Sequence, residues 1–231
     1  MAQKMKSILK SKYLDYIHVP SEEYAKICSG VFDLDKEKII VAPFGIPDIY
    51  DKYKNDMAKS EPFALAIGRS NRDFDWLISQ WVDMPLKLVI ISDVFKLQQR
   101  NVGNIELIDN ISGESQYPYI INCDFLIIPI ADGTICSGDT VLLTGMCFKK
   151  CVIVTEPSTL AEMYIRHRFD GVCIRKDQCL KELLRELNEN ARKKIGENAR
   201  ISYINKYSRL NLGIAFGKHF IKYSQNAREK I

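Results

Sequence analysis

Short apolar runs alternate with amphipathic stretches along most of this chain. Residues 13–19 read as a strand, and 21–32 as a helix with Glu22 and Glu23 in its first turn, where acids suit the helix dipole. A second strand follows at 38–43. Residues 51–62 are polar and without an apolar period, which marks a linker between domains. The pattern resumes with a strand at 63–67, a helix at 73–82, strands at 86–92 and 105–109, and a short helix at 116–122. A strand at 124–130, a helix at 138–149 and a very apolar strand at 151–155 come next. Helix 159–166, strand 171–174 and helix 178–188 complete the alternation, and the rest is helical and mostly polar. Apolar strands separated by helices predict an α/β fold, a doubly wound parallel sheet covered on both faces, with the remnant of a second domain ahead of it. Ligands bind such sheets at the carboxyl ends of the strands. Gly68, Asp109 and Cys136 all stand just past strand ends.

Composition narrows the class. At 231 residues, 46% hydrophobic and 27% charged, the chain can bury one good core and part of another. Its longest apolar runs, such as 125–131, fall far short of the roughly 20 residues that span a bilayer. Residues 1–10 lack the long apolar segment of a signal peptide, so a cytoplasmic location is expected. The seven cysteines (28, 123, 136, 147, 151, 173 and 179) form no Cys-x-x-Cys pair and sit mostly in apolar runs, which reads as reduced and structural. His18, His167 and His219 are not at ligand spacing, so no metal site is expected. From Arg192 onward there are ten Lys or Arg and two Glu, a net of +8 against +4 for the whole chain. A basic helical tail of that kind either docks on an anionic surface, giving peripheral membrane contact, or is a solvated helix face. No interleaving of aromatic and basic residues suggests nucleic acid as a partner.

Two segments carry candidate chemistry. The strand 124–130 leads to Cys136-Ser137-Gly138-Asp139-Thr140. Ser137 can cap the following helix and Gly138 admits a ligand close to the backbone, so the free amides of the first turn face an anion. A capped helix after a strand is also common where nothing binds. Earlier, Gly68-Arg69-Ser70-Asn71-Arg72-Asp73 follows strand 63–67. Two arginines three apart can fork onto phosphate oxygens, or can simply cap a surface turn.

The order of these motifs resembles family-4 (group 1) glycosyltransferases of the GT-B fold. Pro20-Ser21-Glu22 follows a strand, and Ile39-Ile-Val-Ala-Pro-Phe-Gly45 is similar to that family's Pro-Asn-Gly hinge. Gly68-Arg69 with Arg72-Asp73-Phe74 resembles its Gly-Arg and Lys-Gly-Phe elements. Asp124-Phe-Leu-Ile-Ile-Pro resembles the strand before its signature helix. Gly145-Met146 through Lys150-Cys-Val-Ile-Val-Thr155 is similar to Ala-Met-Ala-x-Gly-x-Pro-Val-Ile, and Ile195-Gly-Glu-Asn-Ala-Arg200 to a helix near its C-terminus. The resemblance implies a Rossmann-like donor domain at 63–207. It also implies the end of a truncated acceptor domain at 1–43, a linker at 44–62 and a C-terminal helix at 208–231.

The activity implied is transfer from a nucleotide diphosphate sugar to a glycan or lipid-linked acceptor, without metal or other cofactor, in surface polysaccharide synthesis. Gly68, Arg69, Arg72, Ser137, Gly138, Asp139 and Thr140 would hold the diphosphate. The backbone near Leu107, Ile108, Asp109 and Asn110 would face the nucleobase. Two departures stand out. The family's Glu-x7-Glu pair falls on Cys136, at the sugar, and Thr144, at the ribose. About 150 residues of the acceptor domain have no counterpart, so a partner chain supplying them, or a start codon assigned too late, is expected. A degenerate donor domain acting as a non-catalytic binding or scaffold module is the alternative, and a response-regulator-like domain lacks its paired acids here. Asp33-Leu-Asp35 and Asp73-Phe-Asp75 read as solvated acids, Glu156 and Glu162 as capping or surface acids, Trp76 and Trp81 as core, and His18 as structural.

Overall fold

A computed structural model of the chain describes residues 2–56, 61–97 and 101–228. They group into two compact units, one of Met1–Pro47 with Lys206–Ile231 and the other of Asp48–Asn205.

In the first unit, α1 (Ala2–Leu9) precedes β1 (Ile17–Val19), α2 (Glu22–Phe32) and β2 (Ile39–Val41). The helix α1 had no counterpart in the expected pattern. The strand expected from residue 13 starts only at Ile17, because the chain first turns, with the Leu14 amide on the Ser11 carbonyl at 3.2 Å. β1 and β2 pair in parallel, Ile17 opposite Ile39. Ser21 caps α2 by accepting from the Tyr24 amide at 3.3 Å. Leu9, Val19, Ala25, Leu34 and Ile39 form the small core between these elements. His18 places Nε2 2.8 Å from the Ala42 carbonyl, a structural role. The last helix, α10 (Arg209–Arg228), groups with this unit.

The second unit begins with α3 (Tyr50–Tyr53) and a 3-10 turn at Lys54–Asp56, inside the stretch expected to be a linker. Residues 57–60 of that stretch lie outside the described residues. The strands are β3 (Phe63–Ile67), β4 (Lys87–Ile91), β5 (Asn101–Val102), β6 (Ile105–Ile108), β7 (Phe125–Ile128), β8 (Val152–Glu156) and β9 (Val172–Arg175). Between them lie α4 (Phe74–Ser79), α5 (Tyr117–Asn122), α6 (Asp139–Cys147) and α7 (Thr159–Tyr164). The helices α8 (Leu180–Glu186) and α9 (Glu189–Ser202) follow. The sheet order is β5-β6-β4-β3-β7-β8-β9. All pairs are parallel except β5 with β6, a two-residue antiparallel edge that the apolar pattern does not betray. Numbered by chain position, the six parallel strands run 3-2-1-4-5-6, the doubly wound order whose direction reverses between β3 and β7.

Both faces of the central strands are covered. Leu65, Leu126, Ile127, Val152 and Ile153 are wholly buried, and the same strands read as unbroken apolar runs for this reason. Trp81 lies in this core with Nε1 donating to the Leu86 carbonyl at 2.8 Å. Trp76 packs against the core and donates to the Lys176 carbonyl at 3.1 Å. The amino ends of β3 and β7 are tied together by Asp124, which accepts from the Phe63 amide at 3.2 Å and from Arg192 at 3.0 Å. Cys123, Cys147, Cys151 and Cys173 are free and buried. Burial pushes the thiols of Cys123 and Cys151 up to about 12, so they stay protonated and unreactive.

Arg200 on α9 forms an ion pair with Asp48, its own side chain 11% exposed. It forks onto both oxygens of Asp48 at 2.8 Å and lies over the rings of Tyr50 and Tyr203. Burial pushes the Asp48 carboxyl up, and the hydrogen bonds from Arg200 and the Tyr50 amide, with the Arg200 charge, together more than offset this, leaving it below the usual range. Such a lowered carboxyl stabilises the fold above its unfolded pKa and loses that stability as pH falls through the folded value. Arg200→Lys keeps the charge but not the fork, and should cost about 1–3 kcal/mol in urea unfolding at neutral pH. Asp48→Asn should flatten the acid limb of the stability profile.

Candidate functional site

The reversal of strand order places the segments after β3 and β7 side by side, and these build the site. After β3, the Gly68 amide donates to the Ile91 carbonyl at 3.1 Å and holds the turn against β4. A Cβ on Gly68 would stand 2.6 Å from Arg72 Nε. The glycine therefore makes room for Arg72 rather than for a ligand. Asn71 adopts φ +53°, a left-handed conformation that asparagine tolerates. Its side-chain oxygen accepts from the Asp132 amide at 2.7 Å, and its Nδ2 donates to the carbonyls of Asp132 and Ile135 at 3.0 and 3.2 Å. One amide side chain thus stitches the loop after β7 to the turn after β3. Asp73 is no solvated acid: it caps α4 through the Trp76 amide at 3.0 Å and pairs with Lys176.

Arg72 is the centre of the arrangement. Nε donates to the Ile67 carbonyl at 3.1 Å, and Nη1 to the Ser70 carbonyl at 3.1 Å and the Ser137 hydroxyl at 3.0 Å. Among the described residues no carboxylate forms an ion pair with it. Desolvation pulls its pKa down to about 10, opposed by the charge of Asp139. Arg72 is still cationic at neutral pH, half-buried and lacking a bonded counter-charge.

On the other side of Arg72, α6 begins after Gly138, which has φ +106° and an added-Cβ distance of 2.7 Å to Arg72 Nη2. Ser137 does not cap this helix. The capping position is Gly138, and the Ser137 hydroxyl is turned to Arg72 instead. The Leu142 amide is bonded to the Gly138 carbonyl at 2.9 Å, so the amides of Asp139, Thr140 and Val141 precede the first intrahelical bond and are free to face an anion. Arg72 and this helix start converge, as the sequence suggested.

The remaining expected residues divide. Arg69 is turned away: Nε and Nη2 fork onto Asp93 at 2.9 Å, with the arginine side chain 75% exposed. The Asp139 carboxylate accepts from the Tyr164 hydroxyl at 2.7 Å, so Asp139 can serve an anion only through its backbone. The Cys136 sulfur donates to the same oxygen at 3.4 Å, and burial with the Asp139 charge pushes its thiol up to about 12. Thr144 does not reach a ligand: it is 3% exposed and its hydroxyl bonds back to the Thr140 carbonyl at 2.6 Å. Leu107 points into the core, and Ile108 ends β6. Asp109 and Asn110 turn off beyond it, with φ +60° at Asn110. At about 4.8 Å per strand, that turn lies roughly 10 Å from the β3 end, two strands away.

The loop after β7 is pinned from the far side too. The Ile130 amide donates to Thr155 Oγ1 at 2.7 Å, and the amide and hydroxyl of Thr159 donate to the Gly133 carbonyl at 2.8 and 2.9 Å. Beside it, past β8 and β9, is a cavity of about 450 Å³ that includes Glu156, Arg175 and Lys176 in its lining. Asn71 carries no motif; the only signal was a turn-favouring residue between two polar neighbours. Tyr164 sits in an apolar helix with nothing to mark its hydroxyl.

No protein-family model and no curated protein matches the sequence. Solved structures do match, and they are glycosyltransferases of the GT-B fold, which this chain shares. A glycosyltransferase from Rickettsia africae is 20% identical with TM-score 0.66, over 92% of this chain and 66% of that one. Sucrose-phosphate synthase from Thermosynechococcus elongatus gives 16% identity and TM-score 0.72, over 97% and 62%. HepE from Anabaena, solved in complex with UDP-glucose, gives 12% and 0.69, over 97% and 68%. The chain spans about two thirds of the length of these proteins.

Gly138→Ala combines a strained φ with a contact on the guanidinium and should lower stability by about 1–3 kcal/mol in thermal unfolding. Asn71→Ala should leave β3 intact yet loosen residues 131–135, read as faster amide exchange confined to that loop.

Proposed function

We propose that this chain is the donor-binding part of a metal-independent hexosyl-type glycosyltransferase. It moves a sugar from a nucleotide diphosphate sugar to a glycan or lipid-linked acceptor in surface polysaccharide synthesis. The observation that carries this reading is Arg72, a desolvated cation beside the open amides of α6, at the reversal point of a doubly wound sheet. An anion between them satisfies both. That a protein of the same fold was solved with UDP-glucose supports a diphosphate as that anion. The ribose and base are proposed to reach toward the turn at Asp109 and Asn110, two strands from the end of β3.

The chemistry required of these residues is electrostatic. As the sugar–phosphate bond breaks, negative charge grows on the departing diphosphate, and the Arg72 guanidinium with the amides of Asp139, Thr140 and Val141 is already oriented toward it. A second reading, a non-catalytic donor-like module, draws support from Cys136 and Thr144. One is a thiol held protonated and the other a buried hydroxyl, at the positions where the family resemblance implies a Glu-x7-Glu pair.

Calorimetric titration with UDP, GDP and ADP tests the site. One nucleotide should bind below millimolar, and Arg72→Ala should weaken it about 10- to 100-fold, the worth of a charge-assisted hydrogen bond. Arg69→Ala should change affinity by less than about threefold. Folded protein that binds none of the three refutes the transferase reading and is the result a scaffold module gives. Nucleotide binding with no transfer of labelled sugar to lipid or glycan extracts, even with the neighbouring gene product added, decides for the module.

A further inference from the structure

The helix α10 has two apolar faces. One carries Phe216 and His219 against rings of its own unit, His18 at 5.2 Å and Tyr16 at 4.5 Å between centroids. The opposite face carries Leu210, Ile214 and Ile221, whose spacing of four and seven residues sets them on one stripe. They are 73%, 46% and 60% exposed. Gly213 and Gly217 lie between them, and a Cβ on either would meet nothing within 4 Å. By helical register Arg209 and Lys218 border the stripe on either side, both exposed.

Charge identifies the occupant. From Asn198 to Arg228 the sequence holds six Lys or Arg and no Asp or Glu. The same unit opens with a second acid-free stretch, residues 1–14, with Lys4, Lys6, Lys10 and Lys12. There α1 exposes Met5 at 45% and Ile8 at 52%. A protein partner is met by mixed charges around an apolar centre. An apolar stripe edged only by cations suits the headgroup region of an anionic bilayer, where the stripe enters the acyl boundary and the cations meet lipid phosphates. None of the described helices is long and apolar enough to cross a membrane.

We propose that the outer face of α10 docks in the plane of an anionic lipid surface through Leu210, Ile214 and Ile221, with Arg209 and Lys218 at phosphate level. This inference is independent of nucleotide binding. The full chain should co-sediment with vesicles of phosphatidylcholine containing phosphatidylglycerol, not with phosphatidylcholine alone, and should be released by high salt. The double variant Leu210→Asp, Ile214→Asp should bind at least about tenfold less tightly. Gly217→Leu, which adds apolar area at an open position, should bind several-fold more tightly with its fold intact. Equal binding to both vesicles, or to neither, overturns the proposal. So does undiminished binding by the folded double variant. A concentration-dependent dimer in gel filtration that the same two aspartates abolish would assign the stripe to a second copy of the chain and overturn it as well.

Discussion

A guanidinium held out of water without a carboxylate to answer it is the constraint on which the candidate site depends. Arg69, Arg166, Arg168, Arg175, Arg192 and Arg200 each lie against an acid. Arg72 instead spends its Nε and Nη1 on backbone carbonyls and one hydroxyl, which are dipoles and compensate a full charge only in part. Two glycines clear the space for it, and the turn after β3 and the helix after β7 both take their shape around it. Such an arrangement costs stability that a bound anion would restore, the basis on which the binding site is proposed.

Rigidity around that cation comes from side chains that carry no obvious chemistry. Asn71, Thr155 and Thr159 fix the loop after β7 from both sides, and the buried half of α6 (Leu142 to Cys147) anchors the helix whose first turn faces Arg72. The amides are thus held in place by packing, which is what the proposed electrostatic role would require.

Much of this was legible in the chain. The apolar strands of the second unit, their helices and the parallel sheet follow from periodicity, because buried strands leave unbroken apolar runs. Arg72 and the helix start at residue 138 were visible from glycine placement and strand ends. What stayed hidden depended on side-chain direction or on distant partners. Ser137 had the identity of a cap, but Arg72 sixty-five positions away claimed its hydroxyl. Arg69 and Arg72 looked equivalent, yet Asp93 at the end of the next strand takes one and leaves the other. Thr144 had the right spacing for a ligand contact and turned out to bond to its own helix. The grouping of α10 with residues 1–47 is a contact between chain ends, which no local pattern encodes.

The order 3-2-1-4-5-6 has a consequence for how this architecture can diversify. The segments after β3 and β7 flank the proposed anion site, while the turns beyond β4 and β6 lie to one side of it and those beyond β8 and β9 to the other. Substitutions in one arm are separated from those in the other by two close-packed strands, and changes so far apart add rather than interfere. Each arm is free to drift toward a new chemical specificity while the shared middle stays constant, a division of labour written into the winding of the chain itself.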